Sequence, residues 1–350
     1  MLPLDAPHNL TKKNIMELQI YSPHEIIEDI EVMEVPQTIA TKEAKRKPFI
    51  EANTQEVTVT HLKHDCIIPV FSKDNERTIS HQEFIDASIA ATNSVFGNHL
   101  LLKPEIRVSH TIKGRTPNAI HKAASELLEH EKTIYYERIA FAIEIPGFTR
   151  DIAGNELTLT IGGVRAYNQE NLYNKKSLEH FKFFIGFKNM VCCNMCVSSD
   201  GFVEDLRASD TQQLYMKILE VIQSYQMEQH VLQMQSLTRQ SISESQFAQI
   251  LGKCRLHQYL PKEQKKHIPS LQFNDSQVNA VARDYFLDES FARNESGDIN
   301  LWKMYNLFTG ANKSSYIDLF LQRSVNSFDL ASGIGEALLD NSSPYSWFLE

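Results

Sequence analysis

The side chains best suited to chemistry in this sequence are cations and aromatic rings. Three stretches are locally basic: 103–122 with Lys103, Arg107, Lys113, Arg115 and Lys122 against Glu105; 165–188 with Arg165, Lys175, Lys176, Lys182 and Lys188 against Glu170 and Glu179; and 253–267 with Lys253, Arg255, Lys262, Lys265 and Lys266 against Glu263. Cations set along a groove bind phosphates, and single-stranded nucleic acid also asks for rings on which bases stack. Tyr135, Tyr136, Tyr167, Tyr173 and Phe181 are near in sequence. The candidate interface is therefore Arg107, Lys113, Arg115, Arg165, Lys175 and Lys176 for phosphates, with Tyr135 or Tyr167 stacking. The competing reading is an ordinary solvated surface.

Other chemistries find less support. Cys193-x-x-Cys196 would need a second ligand pair from His61, His64 and Cys66 or from Cys254 and His257. Residues three apart in a strand face opposite sides, so both sulfurs reach one ion only if Asn194 marks a turn or bulge. Buried free thiols are the simpler expectation. No phosphate-cradling loop exists, since Leu307 and Asn312 stand where the two glycines before Lys313-Ser314 would be needed. Gly-x-Ser-x-Gly and His-Glu-x-x-His are absent from the sequence. His110, His121, Glu126, Glu137 and Glu144 could form a metal-dependent nuclease site, but such scattered groups more often make salt bridges and caps. No metal or cofactor is expected.

These side chains need a sheet to carry them. Residues 134–148, 156–167 and 181–197 read as three consecutive strands, with Ile139, Phe141, Ile143 and Ile145 alternating with Ala140, Ala142 and Glu144. Gly162 and Gly163 inside the second point to a bulge, a bend or a close backbone approach. Apolar spacing from 211 to 240 predicts one long helix lying across this sheet. Upstream, 56–71 reads as a strand or broken pair and 105–112 as a strand. Ser80 with Glu83 is a capping box for a helix ending at Gly97, and Asn118 starts a helix to about His130. Downstream, helices are predicted from Ser241 with Glu244 to Leu256, over 274–291, and over 301–338 with a hinge near Gly310. The fold class is α+β: a central antiparallel sheet covered by a long helix, then an all-helical C-terminal half.

The domain reading is an acidic, mostly disordered tail over 1–50, a sheet core over 51–240 and a helical region over 241–350. Up to Pro36, Asp5, Glu17, Glu25, Glu28, Asp29, Glu31 and Glu34 oppose only Lys12 and Lys13. The chain's net charge of −9 argues against coating by nucleic acid through bulk charge alone. Five cysteines are an odd, poorly spaced set for disulfides. Absence of a signal-type start and of an apolar span predicts a cytoplasmic protein with no membrane partner.

Several phrases carry a resemblance. Residues 107–117 (Arg-Val-Ser-His-Thr-Ile-Lys-Gly-Arg-Thr-Pro), 131–138 (Glu-Lys-Thr-Ile-Tyr-Tyr-Glu-Arg), 162–168 (Gly-Gly-Val-Arg-Ala-Tyr-Asn) and 186–194 (Gly-Phe-Lys-Asn-Met-Val-Cys-Cys-Asn) look like an uncharacterised Bacteroides family, a domain of unknown function, over roughly 50–335. That family is similar in turn to phage- and plasmid-like proteins, through Cys192-Cys193-Asn194 and the Trp302-to-Asn306 helix. The resemblance implies a mobile-element context and supplies no activity. The order of three strands and a long helix also resembles phage single-strand annealing proteins, an analogy of fold alone.

The leading expectation is a non-enzymatic, mobile-element protein, a homo-oligomer, binding single-stranded DNA or RNA through a basic sheet face. One alternative is a protein-binding anti-defence or DNA-mimic module whose partner is a host or phage protein. Another is a metal-dependent nuclease.

Overall fold

The computed structural model describes residues 47–68, 78–97, 99–119, 121–169 and 178–350. Lys175, Lys176 and nearly all of the expected tail lie outside them. The tail's last residues are described, and Phe49 and Ile50 are buried, Phe49 against the Phe320 ring.

In chain order the elements are β1 (Gln55–Glu56), α1 (Val59–His64), α2 (His81–Phe96), β2 (Glu105–Val108), β3 (Thr111–Arg115), β4 (Lys132–Tyr136), β5 (Arg138–Ile152), β6 (Asn155–Ala166), β7 (Glu179–Asn189), β8 (Met195–Cys196) and β9 (Phe202–Ala208). There follow α3 (Thr211–Ser224), α4 (Met227–Leu237), β10 (Ser241–Ile242), α5 (Glu244–Tyr259), α6 (Lys262–Lys265), α7 (Asp275–Leu287), β11 (Ile299–Asn300), α8 (Leu301–Ala311) and α9 (Ile317–Leu339). The sheet is antiparallel in the order β1-β2-β5-β6-β7, and the far edge of β7 is shared by β8 and β9. From Thr211 onward the elements are helical apart from the short β10–β11 pair. The α+β expectation holds.

Alternation within the strands gives the sheet two covered faces. On one, Ile139, Phe141, Ile143, Ile161, Phe183 and Ile185 join the core that includes Phe84 of α2 and Leu214 and Ile218 of α3. Small residues line the other. Ala140, Ala142 and Val164 there lie under Ile317, Phe320, Leu321 and Val325 of α9. Gly162 and Gly163 sit at the tightest contacts: a Cβ on Gly163 would stand 2.3 Å from the Phe84 ring, and one on Gly162 2.1 Å from the Phe141 carbonyl. The expected close approach is real.

Four elements differ from expectation. The segment after β1 is helical because the Thr58 side chain caps α1 by accepting from His61 N, overriding the Val57/Val59 alternation. The helix predicted from Asn118 is replaced by 3-10 turns; Ala119 is buried, but Ala123 and Leu128, expected on the inward face, are exposed and do not hold it. The third predicted strand ends at Asn189, where the chain turns back and Cys193 takes a φ of 57°. The long helix breaks between α3 and α4: Tyr225 is extended, its hydroxyl 2.7 Å from His230 Nδ1, and Gln226 N donates to Asp200. The capping box Ser80–Glu83 is as predicted, and that of α5 falls on Ser243 with Gln246.

Candidate nucleic-acid interface

The β3–β4 ribbon stands apart from the main sheet as a two-stranded arm. β2 leads into β3 and β4 into β5, with a bend at which Ser109 N donates to the Arg138 carbonyl and Arg138 N donates to Ser109 Oγ. Tyr136 is buried at the arm's base, its hydroxyl 3.0 Å from His61 Nε2 of α1, and Cys66 bridges to Ile134 on the outer side.

Directly opposite residues of an antiparallel pair share a face. The register Lys113↔Ile134 and Arg115↔Lys132 therefore puts three cations on one side of the arm. Lys113 is exposed and has no ion-pair partner among the described residues. Arg115 donates to the Lys122 carbonyl, Lys122 is bridged to Glu131, and Lys132 to Glu129. Tyr135 pairs with Ile112 on the reverse side, half-buried and edge-on to Tyr167 at 6.4 Å. It does not line up with the cations.

Among the described residues the rest of the expected interface is dispersed, and they form no single basic sheet face. Arg107 pairs with Ala140, on the face covered by α9, and donates to Thr54. Arg165 pairs with Ile139, on the opposite face. It is 1% exposed, donates to the Ile79 carbonyl and to Glu179, and lies over the Tyr167 ring at 4.5 Å and the Phe181 ring at 4.4 Å. Tyr167 is buried against His81 at 4.4 Å. Arg165 and Tyr167 are thus corrected from ligand contacts to struts: a guanidinium is buried here because a carboxylate, a carbonyl and two ring faces replace its water. Lys182 and Lys188 face the α9 side; Lys188 bridges Glu105 at 2.7 Å and Glu144 at 2.9 Å. Burial lowers the Lys188 pKa, yet the two carboxylates carry it above the ordinary lysine value.

One element of the arm was missed. Lys132 follows from pairing 132-134-136 against 115-113-111, but that register depends on a connection that reads as a helix in the sequence.

The turn after β7 brings Cys193 and Cys196 onto a bend, the condition for a shared ion, yet among the described residues no group of three or more His, Cys, Asp or Glu could hold a metal. All five cysteines are free thiols. Burial pushes the Cys192 thiol up to about 11 and that of Cys254 up to about 12, so neither offers a thiolate. The polar groups of this turn serve cohesion instead. Asn194 Nδ2 donates to the Asn306 carbonyl at 3.0 Å, Asn189 Nδ2 reaches Asn306 Oδ1 at 3.4 Å, and Lys313 donates to the Cys192 carbonyl.

The architecture defines an α+β protein with a twice-covered antiparallel sheet, a polar lock between its end and α8, and a cationic arm. Residues 29–349 match the family model described as "Domain of unknown function, B. Theta Gene description (DUF3871)", and the chain belongs to that family. No curated protein and no solved structure matches it. Among the described residues, no helix is long and apolar enough to cross a membrane.

Proposed function

We propose that the chain binds single-stranded nucleic acid through the phosphate backbone, along the cationic side of the β3–β4 arm, within the annealing or recombination chemistry of a mobile element. The observation that carries this reading is the direct opposition of Arg115 and Lys132, with Lys113 beside them. Like charges facing each other across a ribbon are unfavourable, and among the described residues Lys132 is bridged to Glu129 alone. A bridging phosphate turns that cost into attraction. The resemblance of the 192–194 and 302–306 motifs to phage- and plasmid-like proteins supports the setting.

Titrating the full chain with labelled oligothymidine at about 50 and about 200 mM salt tests this, because each phosphate contact adds roughly 0.7 to the log–log salt slope. The double variant Lys113→Glu/Arg115→Glu should lower that slope by more than one unit. Absence of binding at the lower salt, or binding untouched by the variant, overturns the proposal. Equal binding of duplex keeps the phosphate contacts and removes the single-strand preference.

A further inference from the structure

Among the exposed positions of α5, Ser245, Ala248, Gly252, Leu256 and Tyr259 are spaced by three or four residues and form one stripe, with Glu244 and Arg255 at its flank. Two of them are large and apolar, Leu256 at 59% and Tyr259 at 77% exposure. Gly252 is in the helix interior, where glycine weakens a helix relative to alanine. A Cβ placed on it would meet nothing within 4 Å. Nothing in the described fold requires a glycine there.

The order of sizes along the stripe supplies a reason for it. Small residues occupy the N-terminal half, large ones the C-terminal half, and Gly252 the midpoint. A two-fold axis through Gly252 pairs positions equally far from it in opposite directions, so that Leu256 of one copy meets Ala248 of the other and Tyr259 meets Ser245. Each large side chain then finds a small one, and glycine at the crossing lets the two backbones approach more closely than the usual 8–10 Å between helix axes.

Charge agrees with the same axis. α7 runs antiparallel to α5, as the stacked Phe247–Tyr285 rings at 4.3 Å and the Arg255–Asp275 bridge show. The N-terminal end of α5 therefore holds Glu244 beside the acidic C-terminal end of α7, with Asp284, Asp288 and Glu289, while its other end holds Arg255, bridged to Asp275, and leads into Lys262, Lys265 and Lys266, of which Lys266 is bridged to Glu263. Antiparallel pairing sets acidic end against basic end and opposes the helix dipoles. Glu244 and Asp284 are already bridged to Arg293 and Arg283, so charge orients the pair and the apolar fit holds it.

We infer that α5 is a homodimer interface, occupied by a second copy of this chain in antiparallel two-fold contact at Gly252. The inference is independent of the nucleic-acid reading. Gly252→Cys in the full chain tests the axis, since a residue on a two-fold faces itself and a disulfide needs Cα atoms within about 7 Å. Mild oxidation should give a covalent dimer well beyond the wild-type blank. Ser245→Cys alone should not link, its copies lying about 20 Å apart at 1.5 Å per residue, whereas Ser245→Cys mixed with Tyr259→Cys should. Failure of Gly252→Cys to link, or linking of Ser245→Cys alone as readily as the mixture, overturns the axis. In sedimentation, Tyr259→Glu should raise the dimer dissociation constant at least about tenfold. A wild-type chain monomeric at every concentration overturns the interface.

Discussion

Asn194, in the turn after β7, and Asn306, in α8, are 112 residues apart in sequence and joined side chain to backbone at 3.0 Å. Asn306 Nδ2 donates in turn to the Trp302 carbonyl. The Cys-x-Asn and Trp-x-x-x-Asn patterns are therefore two halves of one lock between the sheet's end and the helical half. Asn194→Ala removes this buried hydrogen bond, while the Asn306 carbonyl keeps Thr309 Oγ1 and Asn306 Oδ1 keeps Asn189 Nδ2, and it should cost about 1 kcal/mol in urea denaturation. A loss below about 0.5 kcal/mol means that the lock does not hold.

Lys188 lies between Glu105 and Glu144 with its side chain 3% exposed. Lys188→Met strands two carboxylates and should destabilise by about 3–5 kcal/mol, whereas Lys188→Met with Glu105→Gln and Glu144→Gln should recover most of it. Equal stabilities of the single and triple variants in denaturant titration would show that the charges do not depend on one another.

Arg165→Glu should unfold the protein rather than weaken a nucleic-acid contact, because it sets a carboxylate beside Glu179 among the Tyr167 and Phe181 rings. Thermal unfolding checks this. A folded Arg165→Glu variant that has lost only oligonucleotide binding would return Arg165 to the interface.

Burial lowers the His230 pKa to about 4, and burial together with the Arg165 charge lowers that of His81 to about 3. Both are held neutral in the fold and take up protons on unfolding. Their contribution is thus complete above about pH 6.5 and declines as pH falls toward 4 and 3, by about 1.4 kcal/mol per pH unit for each histidine. His230→Phe should remove its share of that slope between pH 6 and pH 4.5, roughly the window set by the ordinary histidine value. An unchanged slope in chemical denaturation across that window rejects the assignment.

What could be read from residues alone were features decided locally. The Ser80–Glu83 box, the two-faced alternation of 139–145 and the close approach at Gly162 and Gly163 follow from neighbours a few positions away. The break between α3 and α4 has no proline or glycine to announce it: it is held by Asp200, 26 residues back, together with His230 of α4. The role of Arg165 was hidden in the same way. Alternation places Arg165 on a strand, but its neutralisation by Glu179 and an Ile79 carbonyl exists only once three segments have met.

β7 gives its whole outer side to β8 and β9, β9 turns Glu204, Asp205 and Arg207 into the rim, and the opposite rim is the two-residue β1. Both borders are poor templates for a further strand, since one is guarded by charge and the other is brief, so joining of copies backbone to backbone across them is disfavoured.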